Sequence, residues 1–432
     1  MSAKPSPNRT RPVFYTLFAI LIALFFARQA SPFYPLVFVK LLGKTSMFAT
    51  VNLLRIIMAL FFITLIWVTR WLDAPPAGSP LRQPANPDGI PLKALRSFVV
   101  GVFLAAAVLI TVNAVVNPRG IYAIKLFSPW APNARAIKIN AYQNLPASPD
   151  LVILGSSRAF TISPQYINAK LGQSAYNWSL EGGKLQEFLI QTKFMLHQAP
   201  EDVPEVLLIE VWPASDVLND FIVSSSPTQL LPFMPPSMMF KAALLPIQEL
   251  FNVHQFSESL YVLRQNLVGG DLARGWEFDA MGGGQRDKMM FDQALSRDIR
   301  SIAPQAFCET LQPGGVQILH QMVGLADQHG ISLVFFYSAR HPLYHAEIIR
   351  THPAYQRCHQ ELLDFMHQLA GQYPYVFFLD YSLLENFNGI ATADGFYDGQ
   401  HMTQINNNLL IDAATDSLRQ AYDLAISRRQ GD

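Results

Sequence analysis

Two short segments about 240 residues apart carry side chains suited to acyl transfer: Asp150-Leu-Val-Ile-Leu-Gly-Ser-Ser-Arg158 and Tyr397-Asp-Gly-Gln-His-Met-Thr403. A serine hydroxyl becomes a strong nucleophile when an imidazole takes its proton, and the imidazole needs a carboxylate that fixes its tautomer. Ser157 offers the hydroxyl, His401 the base and Asp398 the carboxylate. Asp398 and His401 lie three residues apart before a helical pattern, so both can face one site. Gly155 permits a tight turn, after which backbone N–H groups can face a developing oxyanion. Each segment alone has a plainer reading: serines capping a strand-to-helix turn, and an Asp capping the last helix beside a surface His. The Gly-x-Ser-x-Gly elbow is absent, because Ala159 stands where its last glycine would be.

The elements that must position these residues follow an α/β rhythm. Leu151–Leu154, Val206–Trp212, Ile331–Tyr337 and Tyr375–Asp380 are continuous apolar runs, as expected of strands covered on both faces. Lys184–Gln198, Val316–His329, Ala354–Gly371 and Thr403–Ser427 have helical spacing. Strands alternating with helices predict a mostly parallel sheet in a three-layer α/β domain. In such sheets chemistry gathers at the carboxyl ends of the strands, where Gly155, Ser156 and Ser157 fall. Between Pro213 and Pro304 the rhythm stops, and this stretch, rich in Pro, Met, Phe and Gly, predicts an inserted lid, binding segment or membrane-contacting element.

Half of the residues are hydrophobic and 15% are charged, and the apolar excess sits near the N-terminus. Val13–Ala27, Thr45–Thr69 (broken by Arg55) and Ser97–Asn117 predict about three transmembrane helices within residues 1–118. Basic residues before the first run and in the loop before the third favour a cytoplasmic N-terminus, which places residues 119–432 outside the cytoplasm. Zero net charge gives no argument for a nucleic-acid partner. Cys308 and Cys358 allow one internal bridge or two free buried thiols, and their spacing does not suit zinc. Glu210, ending an apolar strand, reads as a buried, paired carboxylate, whereas Arg340-His341 reads as a solvated loop or an anion contact.

The combination of a Gly-x-Ser turn after the first strand with a late Asp-x-x-His resembles the SGNH (GDSL-like) hydrolase superfamily, from Pro149 to about Leu418 without the insertion. That resemblance implies Ser157 as nucleophile, His401 as base and Asp398 as its partner, with no cofactor or metal. Tyr176-Asn-Trp-Ser179 is similar to the family's second block, which implies Ser179 as a backbone oxyanion donor and Asn177 as organiser of the turn. The third block, Gly-x-Asn-Asp, is missing: Trp212-Pro213-Ala214-Ser215 follows the second long strand. Ser156, Trp212 and Arg340 are the candidates to replace its donor. Membrane-tethered relatives resembling the alginate O-acetylation factors and the D-alanyl-lipoteichoic-acid transfer protein share that departure. They imply a serine acyltransferase or esterase in the bacterial inner membrane with a periplasmic catalytic domain. An exported polysaccharide would be the substrate, with a multispanning acyl-donor protein as partner. A degenerate domain that binds glycan or scaffolds an envelope complex is the alternative.

Overall fold

The computed structural model describes residues 92–119, 126–127, 134–197, 203–213, 227–268, 277–278, 284–285, 290–302 and 308–431. The apolar runs expected at Val13–Ala27 and Thr45–Thr69 lie outside these residues. The helices are α1 (Leu92–Val116), α2 (Ala134–Gln143), α3 (Pro164–Leu171), α4 (Leu185–Leu196), α5 (Pro236–Leu250) and α6 (Val253–Val268). They continue with α7 (Phe291–Arg300), α8 (Pro313–Gln328), α9 (Pro342–Thr351), α10 (Pro353–Gln372) and α11 (Gln404–Gln430). Five strands, β1 (Leu151–Leu154), β2 (Ala175–Asn177), β3 (Val206–Glu210), β4 (Ser332–Ser338) and β5 (Val376–Tyr381), form one sheet.

The sheet is parallel throughout, with spatial order β2-β1-β3-β4-β5. The chain leaves β1 for β2 on one side and returns to β3 on the other. The carboxyl ends of β1 and β3 therefore bound the crevice where this topology places ligands. Alternation along the strands divides the core in two. Val152, Leu154, Leu207, Ile209, Leu333 and Phe335 meet α4, α8 and α10 through residues such as Phe188, Met322 and Met366. Leu151, Ile153, Val206, Leu208, Val334 and Phe336 meet α3 and α11 through Ile167, Leu410, Ala414 and Leu418. Both faces are covered, which is why the strand sequences are continuously apolar rather than alternating.

Local signals set the helix ends. Pro occupies the first turn of α3, α8, α9 and α10, where its missing N–H is harmless. Pro342 thus opens α9, a helix that the sequence spacing had not singled out. Gly172 ends α3 in the left-handed region at φ 71°, as a C-terminal cap prefers.

The chain divides into two compact units: residues 1–130 with 247–272, and residues 131–246 with 273–432. Part of the expected insertion thus belongs with α1. Within that unit Asn113, in the uncharged part of α1, donates to the carbonyls of Leu250 (3.0 Å) and Asn252 (3.1 Å) and accepts from Ser259 Oγ. Arg119 pairs with Glu258 at 2.8 Å and Glu249 at 3.2 Å. Among the described residues no helix is long and apolar enough to cross a membrane.

Cys308 and Cys358 are bridged, with Cα atoms 6.1 Å apart. The bridge ties the segment before α8 to α10 and closes a loop of sequence separation 50. Cross-linking a loop of that length restrains the unfolded chain by up to about 4 kcal/mol. Replacing both cysteines by serine is expected to lower stability by roughly 2–4 kcal/mol, seen as a lower urea midpoint. Adding reductant to the wild type should reproduce that shift.

Candidate active site

The strand-to-helix turn after β1 is held from several sides. A Cβ on Gly155 would lie 2.6 Å from the Ala159 Cβ, 3.1 Å from Ser179 Oγ and 3.2 Å from the Glu210 Cβ, so only glycine fits there. Ser156 caps the short 3-10 turn Ser157–Ala159, its Oγ accepting from the Arg158 N–H. This geometry turns Ser157 toward the C-terminal segment, where its Oγ lies 2.9 Å from His401 Nε2.

The segment carrying His401 is a tight loop ahead of α11. Phe396 and Met402 form an antiparallel bridge across it, and the Tyr397 N–H donates to the His401 carbonyl at 2.9 Å. Inside the loop Asp398 Oδ1 accepts the N–H groups of Gln400 (2.8 Å) and His401 (2.9 Å). His401 Nδ1 lies 2.8 Å from Asp398 Oδ2. An ionised carboxylate only accepts, so the imidazole proton sits on Nδ1 and Nε2 accepts from the Ser157 hydroxyl. Burial alone would raise the Asp398 carboxyl. The hydrogen bond and charge of His401, with the two backbone N–H groups, outweigh it and hold the carboxyl at about 2. Gly399 gives the loop its close approach to α9, since a Cβ there would fall 2.6 Å from the Tyr344 ring. Its N–H donates to Asp298 Oδ2 at 3.2 Å, a contact across 101 residues that no local sequence signal announces.

Behind the nucleophile lies a buried carboxylate, as the sequence expectation for Glu210 had it. Fully enclosed at the end of β3, Glu210 accepts from the Ser156 N–H (2.7 Å), Ser156 Oγ (2.8 Å) and Ser338 Oγ (2.5 Å), and pairs with Arg158 Nε at 3.0 Å. The Arg158 guanidinium lies over the Trp212 ring at 4.7 Å. Three strand ends are thereby joined behind Ser157. Replacing Glu210 by Ala strands this buried arginine and three donors, and is expected to destabilise the protein by about 3–5 kcal/mol. The check is chemical denaturation, with Glu210→Gln, which keeps one acceptor, falling in between.

The remaining residues singled out from sequence are committed elsewhere. The expectation that the Ser179 N–H faces substrate is corrected: it donates to Asn177 Oδ1 at 3.0 Å. Asn177 Nδ2 in turn donates to the carbonyls of Ala159 (2.8 Å) and Ile162 (2.8 Å), stapling β2 to the nucleophile turn. Ser156 is engaged by Glu210. Arg340 is no solvated loop residue; its Nη1 donates to the Tyr355 hydroxyl at 2.8 Å, and Tyr355 meets the Tyr337 hydroxyl at 2.8 Å. His341 is likewise buried, at the N-cap of α9, where burial lowers its pKa. His345 is pushed down to about 4 by burial and then by the charges of Arg340 and His359. Among the described residues no group of three or more His, Cys, Asp or Glu side chains is placed to hold a metal ion.

Arg158 was not singled out from sequence. Its signal in the sequence is a charged residue directly after the small Gly-Ser-Ser turn.

No family model matches this chain, and no curated protein matches it. Two solved structures that resemble it are a Bacteroides fragilis protein classed as an acylhydrolase and a GDSL-like lipase from Bacteroides thetaiotaomicron. The first is 12% identical, with a TM-score of 0.33 over 68% of this chain and 99% of that one. The second is 10% identical, with a TM-score of 0.33 over 67% and 98%.

Proposed function

We propose that this protein is a serine acyltransferase or esterase of the SGNH type, tethered to the membrane of a bacterial envelope. The observation that carries the reading is the unbroken line from Ser157 Oγ through His401 to Asp398, with contacts of 2.9 Å and 2.8 Å. Ser157 Oγ attacks an ester or thioester carbonyl carbon while its proton passes to His401 Nε2 and the carbonyl electron pair moves onto oxygen. Collapse of that intermediate expels the leaving group, which takes the proton from His401. The acyl-serine is then resolved by a hydroxyl of an exported polysaccharide, or by water, with His401 now acting as base. Asp398 stays ionised throughout and stabilises the imidazolium.

The envelope setting draws on three features. The Cys308–Cys358 bridge suits an oxidising compartment. The run Ser97–Asn117 carries no charge, and on α1 the side chains of Phe103, Leu104 and Val108 are exposed. On α5, Phe240, Leu244 and Ile247 are exposed at helical spacing, the pattern of a helix lying against lipid. A multispanning partner would supply the acyl group. The second reading, a non-catalytic glycan-binding or scaffold domain, draws on the engaged Ser179 N–H and on Trp212 in place of an amide donor.

The test is transfer itself. Full-length protein in native membranes is given an activated acetyl ester and a panel of neutral and acidic oligosaccharides, and acetylated sugar is followed by mass spectrometry. Acetyl-sugar formation that disappears in Ser157→Ala supports transferase; release of acetate alone supports esterase. Glycan binding with neither product supports the scaffold and removes the catalytic reading.

A further inference from the structure

One loop, residues 397–403, carries both Asp398 and His401, so its placement against β1 sets the contact between His401 Nε2 and Ser157 Oγ. Bonds inside the loop fix its shape: Tyr397 N–H to the His401 carbonyl, and two N–H groups on Asp398 Oδ1. They do not decide where the loop sits. Contacts from other elements do that. Thr161 Oγ1, just past the nucleophile turn, donates to the Met402 carbonyl at 2.9 Å. The His341 N–H, at the start of α9, donates to the Gly399 carbonyl at 3.1 Å. The Tyr344 ring closes the space beside Gly399, where a Cβ would fall 2.6 Å from it.

The other side of Gly399 is held from α7. This helix lies in the stretch where the α/β rhythm stops, yet it belongs to the same compact unit as the loop. It buries Ala294, Leu295 and Asp298, and Leu295 joins Tyr344 and Ile348 of α9 in a small apolar cluster. The neighbouring Arg297 takes Asp298 Oδ1 at 2.9 Å. Asp298 Oδ2 is left to accept the buried Gly399 N–H at 3.2 Å. A carboxylate acceptor makes a stronger hydrogen bond than a neutral one, so this contact is suited to fixing a backbone position.

We infer that Asp298 is a positioning residue for the reaction: through the Gly399 N–H, α7 holds the catalytic loop where His401 meets Ser157. The inference rests on the acyl-serine reading proposed above. Gly399 lies between Asp398 and His401, so a displacement of its peptide carries both side chains with it. The Asp398–His401 bond then survives while the contact to Ser157 lengthens. A misplacement of about 1 Å can lower a rate on the order of 10²-fold, even when the change lies outside the reacting groups. Part of the inserted stretch thereby acts on the chemistry from behind the loop, a task distinct from that of a lid or a membrane contact.

The experiment compares full-length wild type with Ser157→Ala, Asp298→Ala, Asp298→Ser and Asp298→Asn in detergent, reading p-nitrophenyl acetate turnover. Rates are divided by the number of sites that a fluorophosphonate titrates, so lost folded protein does not count as a lost rate. Asp298→Ala is expected to lower kcat per site about 10- to 100-fold with KM little changed. Asp298→Ser keeps a polar side chain too short to reach Gly399, and repeats the test should the alanine variant not fold. Asp298→Asn keeps an acceptor, weaker for want of charge, so kcat should return to within roughly fivefold of wild type. Wild-type kcat per site in folded Asp298→Ala or Asp298→Ser overturns the assignment while leaving Ser157 in place. An equal loss in the asparagine and alanine variants overturns it too, as does a change confined to KM. Turnover indifferent to Ser157→Ala removes the parent reading and this inference with it.

Discussion

Ser157→Ala is expected to lower turnover of an activated ester on the order of 10⁶-fold while leaving the fold intact. The size of the effect follows from what the hydroxyl does. In the proposed reaction it supplies the oxygen that forms the acyl-enzyme, and it lies 2.9 Å from His401 Nε2. Ser156, its neighbour, is turned inward onto Glu210 and cannot substitute. Stability should change by less than about 0.5 kcal/mol, because the lost side chain is partly exposed and its hydroxyl meets His401 alone among the described residues. His401→Ala should show a loss of similar size, and the double variant should be little worse than either single one. Such non-additivity marks residues that act as one unit. Initial rates at saturating ester, beside urea denaturation, check both halves of this expectation.

Asp398→Asn is expected to lower kcat on the order of 10⁴-fold with the loop geometry kept. Asn can still accept the N–H groups of Gln400 and His401 through its oxygen. Its NH₂ group, however, would face His401 Nδ1, which then becomes the acceptor. The proton moves to Nε2, and a protonated Nε2 cannot take one from Ser157. Stability carries a second signature of the same carboxylate. The folded pKa is depressed from 3.8 to about 2, so its contribution is present above about pH 4 and is lost as pH falls through 2. That contribution is about 2 kcal/mol from a shift of this size. Wild type should therefore lose more stability than Asp398→Asn between about pH 5 and pH 2, which denaturation at a series of pH values would register.

Much of this site is legible in the sequence itself. The four long strands announced themselves because a sheet covered on both faces needs uninterrupted apolar residues, and Leu151–Leu154 or Ser332–Ser338 supply them. Ser157, Asp398 and His401 stood out because their residue types and order suit one chemistry. The edge strand Ala175–Asn177 was less visible, since three residues set no period. The fate of the Ser179 N–H was hidden as well. Whether it faces substrate or the Asn177 side chain depends on a turn two residues long, and a glycine-to-serine change in that block says nothing of its direction. Arg340 misled for a related reason. A charged residue after a strand suggests solvent, but Tyr337 and Tyr355 form a buried hydroxyl pair that receives it. Glu210 was recognisable as paired from its place in an apolar strand. Its partners were not, because Ser156, Arg158 and Ser338 are brought to it by the parallel register of β1, β3 and β4 rather than by sequence proximity. Cys308 and Cys358 posed the same difficulty: two cysteines fix the only internal pairing but not whether it forms.

The central claim is that Ser157 is a nucleophile activated by His401. It is met most directly by treating full-length protein with a fluorophosphonate and locating the adduct by peptide mass spectrometry. A single stoichiometric adduct on Ser157, absent in Ser157→Ala and greatly slowed in His401→Ala and Asp398→Asn, is the expected result. No adduct on folded wild-type protein, or an adduct on another residue that persists in Ser157→Ala, would contradict it.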